Sequence, residues 1–189
     1  MSRKEKLRVA AIGVGSLGRH HARNYAELAA SGNVAMIGVC DIDEATAIAV
    51  AGEFGCRAFS NPDDLIGHVD AVSIASPTAT HCRLATQFLE AGVSVLVEKP
   101  MAVSLAEADR MIATASRTGA KLMIGHLERF NPAMIALRPY VTKPLYFEIH
   151  RVSPFPNRSL DVDVVLDVMI HDLDAVQWLV GPQASVTAI

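Results

Sequence analysis

Two patterns near the start of the chain can hold a dinucleotide. Gly13-Val14-Gly15-Ser16-Leu17-Gly18 matches G-x-G-x-x-G, with a short apolar run before it and a helical pattern after it. In that setting the first glycine permits a tight turn. The second lets the backbone approach a pyrophosphate, and the third lets helix and strand pack closely. The N-terminus of the following helix offers N–H groups and a partial positive charge to phosphate oxygens. Ser16 and Leu17 therefore join Gly13, Gly15 and Gly18 as candidate cofactor contacts. Asp41 closes the next apolar run, about 20 residues past the motif, where an acid hydrogen-bonds the ribose hydroxyls of NAD. A carboxylate there repels the 2′-phosphate of NADP, so NAD is favoured. The alternative is that Asp41 caps the next helix, for which Asp43 is the better candidate.

Further groups stand where an open α/β sheet binds ligands, outside the carboxyl ends of its strands. Ser76-Pro77-Thr78-Ala79-Thr80-His81 follows one apolar run, and Glu98-Lys99-Pro100 follows the next. Gly125-His126 follows the last of them and leads into Glu128-Arg129-Phe130-Asn131-Pro132. Beyond this sheet, Asp167 and His171 lie at i and i+4 of a helical pattern and so share one helix face. His81 either touches the cofactor or simply opens its helix. Asp172 and Asp174 read as solvated or capping acids, and His20 and His21 as surface or supporting residues.

The elements that must position these groups alternate. Leu7–Ile12, Val34–Cys40, Asp70–Ala75, Val93–Val97 and Leu122–Ile124 read as short buried strands. Leu17–Ala30, Glu44–Phe54, His81–Ala91 and Leu105–Arg117 read as helices, with Gly55, Gly92 and Gly119 at or just past three helix ends. Strands alternating with helices of this length imply βαβ units and a parallel sheet. After Gly125 prolines crowd one region, Lys143–Val152 reads as an alternating strand, Val162–Val180 as a long helix, and Ser185–Ile189 as the start of a strand. The expected fold is α/β: a Rossmann doubly wound parallel sheet over residues 1–126, then the beginning of a second α/β domain with an open sheet over 127–189.

Composition narrows the function. Hydrophobic residues make up 51% of the 189 and aromatics only 5%, so aliphatic side chains build the core. A net charge of −3 gives no basic stripe for nucleic acid or a membrane surface. No apolar run approaches the roughly 20 residues of a membrane helix. The basic N-terminus leads straight into the first strand and the glycine turn, so it reads as no signal peptide. Cys40, Cys56 and Cys82 are odd in number and lack metal-site spacing, which reads as three packed thiols in a reducing compartment, the cytoplasm. No metal is expected.

Taken in order, the glycine turn, Ser76–His81, Glu98-Lys99-Pro100, Gly125-His126 with Glu128–Pro132, and the Asp167/His171 pair resemble the Gfo/Idh/MocA family of sugar and polyol dehydrogenases. The resemblance runs along essentially the whole chain, but over only the N-terminal part of the family's length. It implies that Lys99 is the catalytic lysine, with Pro100 shaping its backbone. It implies that His171 is the acid/base for the hydroxyl proton and that Asp167 orients it or the substrate. Ser76, Pro77, Thr78, His81, Glu98 and Lys99 would lie along NAD, and His126, Arg129 and Arg158 would face the substrate with Lys99, Asp167 and His171.

The chemistry is consistent with those roles. Oxidising an alcohol removes a hydride, which nicotinamide takes, and a proton, which the protein must take. An imidazole with an ordinary pKa of about 6.5 suits the proton, and an ammonium stabilises developing alkoxide. The alternatives are a solvated surface lysine at Lys99 and a histidine at His171 that caps or fills the domain interface without chemistry.

The segment from Arg151 to Asp172, with Glu128–Pro132 upstream, looks most like the branch acting on nucleotide sugars. That implies NAD-dependent oxidation of the C3 hydroxyl of a UDP-amino sugar. Arg151 and Arg158 either face a substrate diphosphate or are ordinary surface arginines. Ser159–Val165 stands where many family members carry a glycine-rich stretch, which alters the expected pocket floor. Inositol or free-sugar oxidation, a ligand-sensing regulator, and a chain that binds NAD without turnover remain alternatives. Full family members continue into a large open sheet, so the full-length form is expected to be a homo-oligomer.

Overall fold

A computed structural model of the chain describes residues 6–152, 163–182, 185 and 187. The chain divides into two compact units, Met1–Gly125 and His126–Ile189.

The first unit is built on six parallel strands: β1 (Leu7–Ile12), β2 (Val34–Cys40), β3 (Arg57–Phe59), β4 (Ala71–Ile74), β5 (Ser94–Val97) and β6 (Leu122–Ile124). Their order across the sheet is β3-β2-β1-β4-β5-β6, the doubly wound Rossmann arrangement. Four helices connect and cover them: α1 (Gly18–Ala30), α2 (Glu44–Phe54), α3 (His81–Glu90) and α4 (Leu105–Thr118).

The strands are apolar almost throughout because both faces are covered. Ile12, Val72, Ile74, Val95 and Val97 pack in one buried cluster with Phe88, Leu89 and Met111 of α3 and α4. Ala11 and Val39 pack in another with Ala22 of α1 and Val50 and Ala51 of α2. Local chemistry sets the helix ends. Asp43 caps α2 by accepting the Ala45 N–H. Ser104 accepts the Glu107 N–H to start α4, while Glu107 reaches back to the Val103 N–H. Both helices close on glycines with left-handed φ, Gly55 and Gly119.

The sequence bounds of β1, β2, α2 and β6 coincide with the structure. The strand β3 leaves no signal in the sequence. It has three residues, only Phe59 of them buried, which is too short for any periodicity to show.

In the second unit Asn131 caps α5 (Pro132–Leu137), accepting the Ala133 N–H at 3.0 Å with Pro132 in the first turn. The guanidinium of Arg138 stacks 4.6 Å from the ring centre of Trp178. Here two expectations need correction. The long helix expected from Val162 is a π-helical stretch, Val165–Met169, followed by α6 (Ile170–Val180). The π-helical stretch has the same helix-forming, largely apolar composition as the helix it leads into, so the two read as one helix in the sequence. The strand expected over 143–152 is not formed: these residues belong to no regular element, and Leu145, Tyr146 and Val152 are exposed. An alternating pattern makes a strand only when a neighbour completes the ladder, and all six strands of the described sheet come from the first unit. Most of the strand expected over 185–189 lies outside the described residues, as do residues 153–162.

Among the described residues Phe88 is the largest fully buried side chain, at 0% exposure. Phe88→Ala is expected to destabilise the first unit by about 3–5 kcal/mol, read as a lower urea midpoint at unchanged slope.

Candidate functional site

Strand register decides which residues meet. Ile12 pairs with Cys40 and with Ile74, Ile74 pairs with Val97, and Val97 pairs with Ile124. The strands therefore end level. The next residues continue the ladder: Gly13 N–H donates to the Cys40 carbonyl, Ala75 N–H to Ile12, Glu98 N–H to Ile74 and Gly125 N–H to Val97, at 2.8–2.9 Å. Asp41 N–H donates likewise to the Phe59 carbonyl at 3.1 Å. The glycine turn, Asp41, the Ser76 loop, Glu98-Lys99 and Gly125 thus leave the sheet along one edge, its carboxyl edge. Strand order reverses between β1 and β4, which makes this the switch point of the fold.

At that point the turn is shaped by contact. Gly13 has φ +78, and a Cβ there would lie 2.5 Å from the Ser76 nitrogen. A Cβ on Gly18 would lie 1.8 Å from the Gly13 carbonyl oxygen. A Cβ on Gly15 would meet nothing within 4 Å, and Gly15, Ser16 and Leu17 are exposed. Two glycines serve packing, and the third leaves open the space a pyrophosphate needs. The cradle fits the group the motif implies. Asp41 is held ready beside it: Oδ2 accepts the Val14 N–H at 2.8 Å and Oδ1 accepts the Asp43 N–H at 3.0 Å. With Asp43 occupied as the cap of α2, Asp41 is not needed for that role.

The neighbouring Cys40 is buried. Burial, then the carboxylates of Asp41 and Asp64, push its thiol pKa up to about 12. Burial also raises that of Cys56, which is partly exposed. All three cysteines are unpaired.

Two expected cofactor contacts are engaged elsewhere. His81 is 1% exposed, and its ring nitrogens meet two backbone carbonyls: Nδ1 that of Pro100 at 2.9 Å, Nε2 that of Ser76 at 2.8 Å. No ring nitrogen is left for a cofactor. Glu98 is 4% exposed; Oε1 pairs with His21 Nε2 at 2.9 Å, and Oε2 accepts the Lys99 N–H at 3.3 Å. Its side chain faces inward. A Cβ on Gly125 would lie 2.8 Å from the Glu98 carboxylate, so the acid fills the space a side chain would take. Lys99 itself is half-buried, and the Lys99–Pro100 peptide bond is cis. Ser76 Oγ bonds Thr80 Oγ1 at 2.6 Å, which braces the loop; Pro77 is exposed and Thr78 buried.

In the second unit, Asp167 falls in the π-helical stretch and His171 in the first turn of α6, both half-buried. The acids after them, expected to be solvated or capping, are each paired with an arginine. Asp174 is 7% exposed and receives Nε and Nη2 of Arg129 at 2.5–3.1 Å, with His126 Nδ1 at 3.7 Å. Asp172 receives the same two nitrogens of Arg151 at 2.6–3.2 Å. Hydrogen bonding to the carboxylates raises the pKa of both guanidinium groups. The fork that matches a phosphate is in each case already matched to an α6 carboxylate. In this structure Arg129 and Arg151, both half-exposed, are thus each paired with an acid of α6. Arg158 lies outside the described residues. Among the described residues no His, Cys, Asp and Glu cluster is arranged to hold a metal, and no helix is long and apolar enough to cross a membrane.

The sheet order, the open glycine turn and the poised Asp41 define a dinucleotide-binding Rossmann domain. Residues 7–126 match the family model described as "Oxidoreductase family, NAD-binding Rossmann fold", GFO_IDH_MocA, and the chain belongs to that family. It is 44% identical over 178 residues to the UDP-N-acetylglucosamine 3-dehydrogenase of Acidithiobacillus ferrooxidans, across 94% of this chain and 55% of that protein. The solved structure of that enzyme superposes with a TM-score of 0.85, covering 93% of this chain and 56% of its own. The inositol 2-dehydrogenase of Rhizobium meliloti is 31% identical, across 96% of this chain and 58% of that protein. GenD2 from gentamicin A biosynthesis, solved in complex with NAD, is 27% identical with a TM-score of 0.81, covering 94% of this chain and 54% of its own. The chain thus spans about half the length of the relatives it matches.

Two outcomes are expected. At pH 8 the Cys40 thiol, with a pKa of about 12, stays protonated. Iodoacetamide should therefore label Cys56 first and reach Cys40 only on unfolding, as read by peptide mass spectrometry. Arg129→Ala leaves the Asp174 carboxylate buried without its main partner. The expected loss is roughly 2 kcal/mol, less than for a fully buried pair because the guanidinium is partly open to water. The sole tryptophan, Trp178, reports it by fluorescence.

Proposed function

We propose that the chain carries the NAD-binding part and the reactive side chains of an oxidoreductase acting on a secondary alcohol of a sugar or nucleotide sugar. The reaction assigned to it is oxidation of the C3 hydroxyl of UDP-N-acetylglucosamine. The observation that carries the reading is the level carboxyl edge, where an open Gly15 cradle, an oriented Asp41 and the Lys99 segment leave one sheet together. The substrate follows the 44% identity to a UDP-N-acetylglucosamine 3-dehydrogenase, against 31% for an inositol 2-dehydrogenase.

When bound, NAD supplies the hydride acceptor. The chain supplies the rest. The N-terminus of α1 and the Gly13–Gly18 turn receive the pyrophosphate, and Asp41 takes the ribose hydroxyls. The Lys99 ammonium stabilises negative charge developing on the substrate oxygen, and the His171 imidazole exchanges the hydroxyl proton. Asp167, one turn before it, orients that imidazole or the substrate. Lys99, Asp167 and His171 are all present, which favours turnover over a sensing role. His126 is assigned to the substrate side, and the whole protein to a homo-oligomer.

Incubating the chain with NAD and UDP-N-acetylglucosamine is expected to produce NADH absorbance. Lys99→Ala is expected to lower the rate by about 10²–10³-fold while calorimetry shows NAD still bound. Binding of NAD with no NADH from the nucleotide sugar, and NADH from inositol or a free sugar instead, would overturn the substrate. NAD binding with no turnover of any of them would overturn the catalytic reading.

A further inference from the structure

Two histidines, His21 partly buried and His81 fully buried, neither absorbed by the reaction, hold the main chain on either side of Lys99. On the N-terminal side, His21 comes from α1, the helix that follows the glycine turn, and its side chain is 12% exposed. Its Nε2 lies 2.9 Å from Glu98 Oε1, and the other oxygen of that carboxylate accepts the Lys99 N–H at 3.3 Å. Glu98 cannot swing aside easily, because it is 4% exposed and sits in the space that Gly125 leaves empty. On the C-terminal side, His81 Nδ1 lies 2.9 Å from the Pro100 carbonyl. Its Nε2 lies 2.8 Å from the Ser76 carbonyl, so the same ring ties the Lys99 segment to the loop that packs on Gly13. A neutral imidazole donates to one of two carbonyls at a time, the imidazolium to both.

We propose that His21 and His81 are positioning residues, which fix the backbone before and after Lys99 and so set where its ammonium group can reach. The chain of contacts is short: His21 to Glu98 to the Lys99 N–H on one side, His81 to the Pro100 carbonyl on the other. It couples the reactive lysine to the two segments that cradle the cofactor, through α1 and through Ser76. A lysine on a flexible stem gains directional value only when its backbone is held, since catalytic groups need placement within about 0.5 Å. The inference rests on the reading of Lys99 as the reactive lysine, and its test does not depend on turnover.

The readout is the rate of reductive methylation of Lys99, followed by peptide mass spectrometry, with exposed Lys121 as the internal reference. His21→Leu is expected to change the Lys99 rate by roughly twofold or more, the lower end of couplings within one hydrogen-bond network, with Lys121 unchanged. His21→Gln, whose amide nitrogen takes the place of Nε2, is expected to restore it. At the second brace, His81→Asn keeps a donor near Nδ1 for Pro100, and His81→Gln keeps one near Nε2 for Ser76. Lys99 should therefore stay close to the parent rate in the first and shift in the second. Equal Lys99 rates in the parent and in a His21→Leu chain with intact circular dichroism would overturn the proposal. So would a shift that glutamine fails to reverse. If His21→Leu does not fold, the His81→Asn and His81→Gln pair decides, and equal rates in those two overturn it. Should the labelling follow the expected pattern while no sugar is oxidised, the bracing stands and the proposed reaction falls.

Discussion

The parallel hydrogen-bond register that brings β1, β2, β4, β5 and β6 to an end on one level is the constraint from which the rest follows. Parallel strands need a crossover after each one, so every strand delivers a new loop to the same edge. Here those loops carry Gly13, Asp41, Ser76, Glu98-Lys99 and Gly125. A slip of one residue in any strand would turn its core side chains to the other face and move its functional residue off the row. The same apolar packing that stabilises the sheet therefore aligns the chemistry, and no separate device is needed to gather groups far apart in sequence.

A second layer of contacts refines that alignment. Gly13 lies close against Ser76, Asp41 braces Val14, and Glu98 occupies the space beside Gly125. Each contact links loops from different strands. The cofactor cradle and the lysine segment are consequently parts of one packed surface, built from backbone N–H groups, carbonyls and two imidazoles as well as from the side chains that would touch a ligand.

Much of this was open to reading from the sequence, and what was not has physical causes. Runs of buried aliphatics bounded by glycine or a polar cap mark β1, β2, α2 and β6, because a sheet covered on both faces demands them. The glycine turn and Asp41 are legible because the local strand–turn–helix context is contained in adjacent residues. The three-residue β3 gives no period, and an alternating run at 143–152 says nothing about whether a neighbour completes it. The roles of Arg129, Arg151, His21 and His81 depend on partners 45, 21, 77 and 19 residues away. No spacing rule connects such pairs. An arginine clamped to an α6 carboxylate and one awaiting a phosphate look alike until the fold supplies the acid.

The contact between Glu98 and Gly125 has a consequence for how such a chain can change over generations. A side chain at residue 125 would collide with the carboxylate, and a shorter residue at 98 would leave a void beside the glycine and release the His21 ring. Neither position can drift alone. Acid, glycine and histidine behave as one inherited character distributed over two strand ends and the helix α1, so variation in this neighbourhood should arrive in concert or not at all.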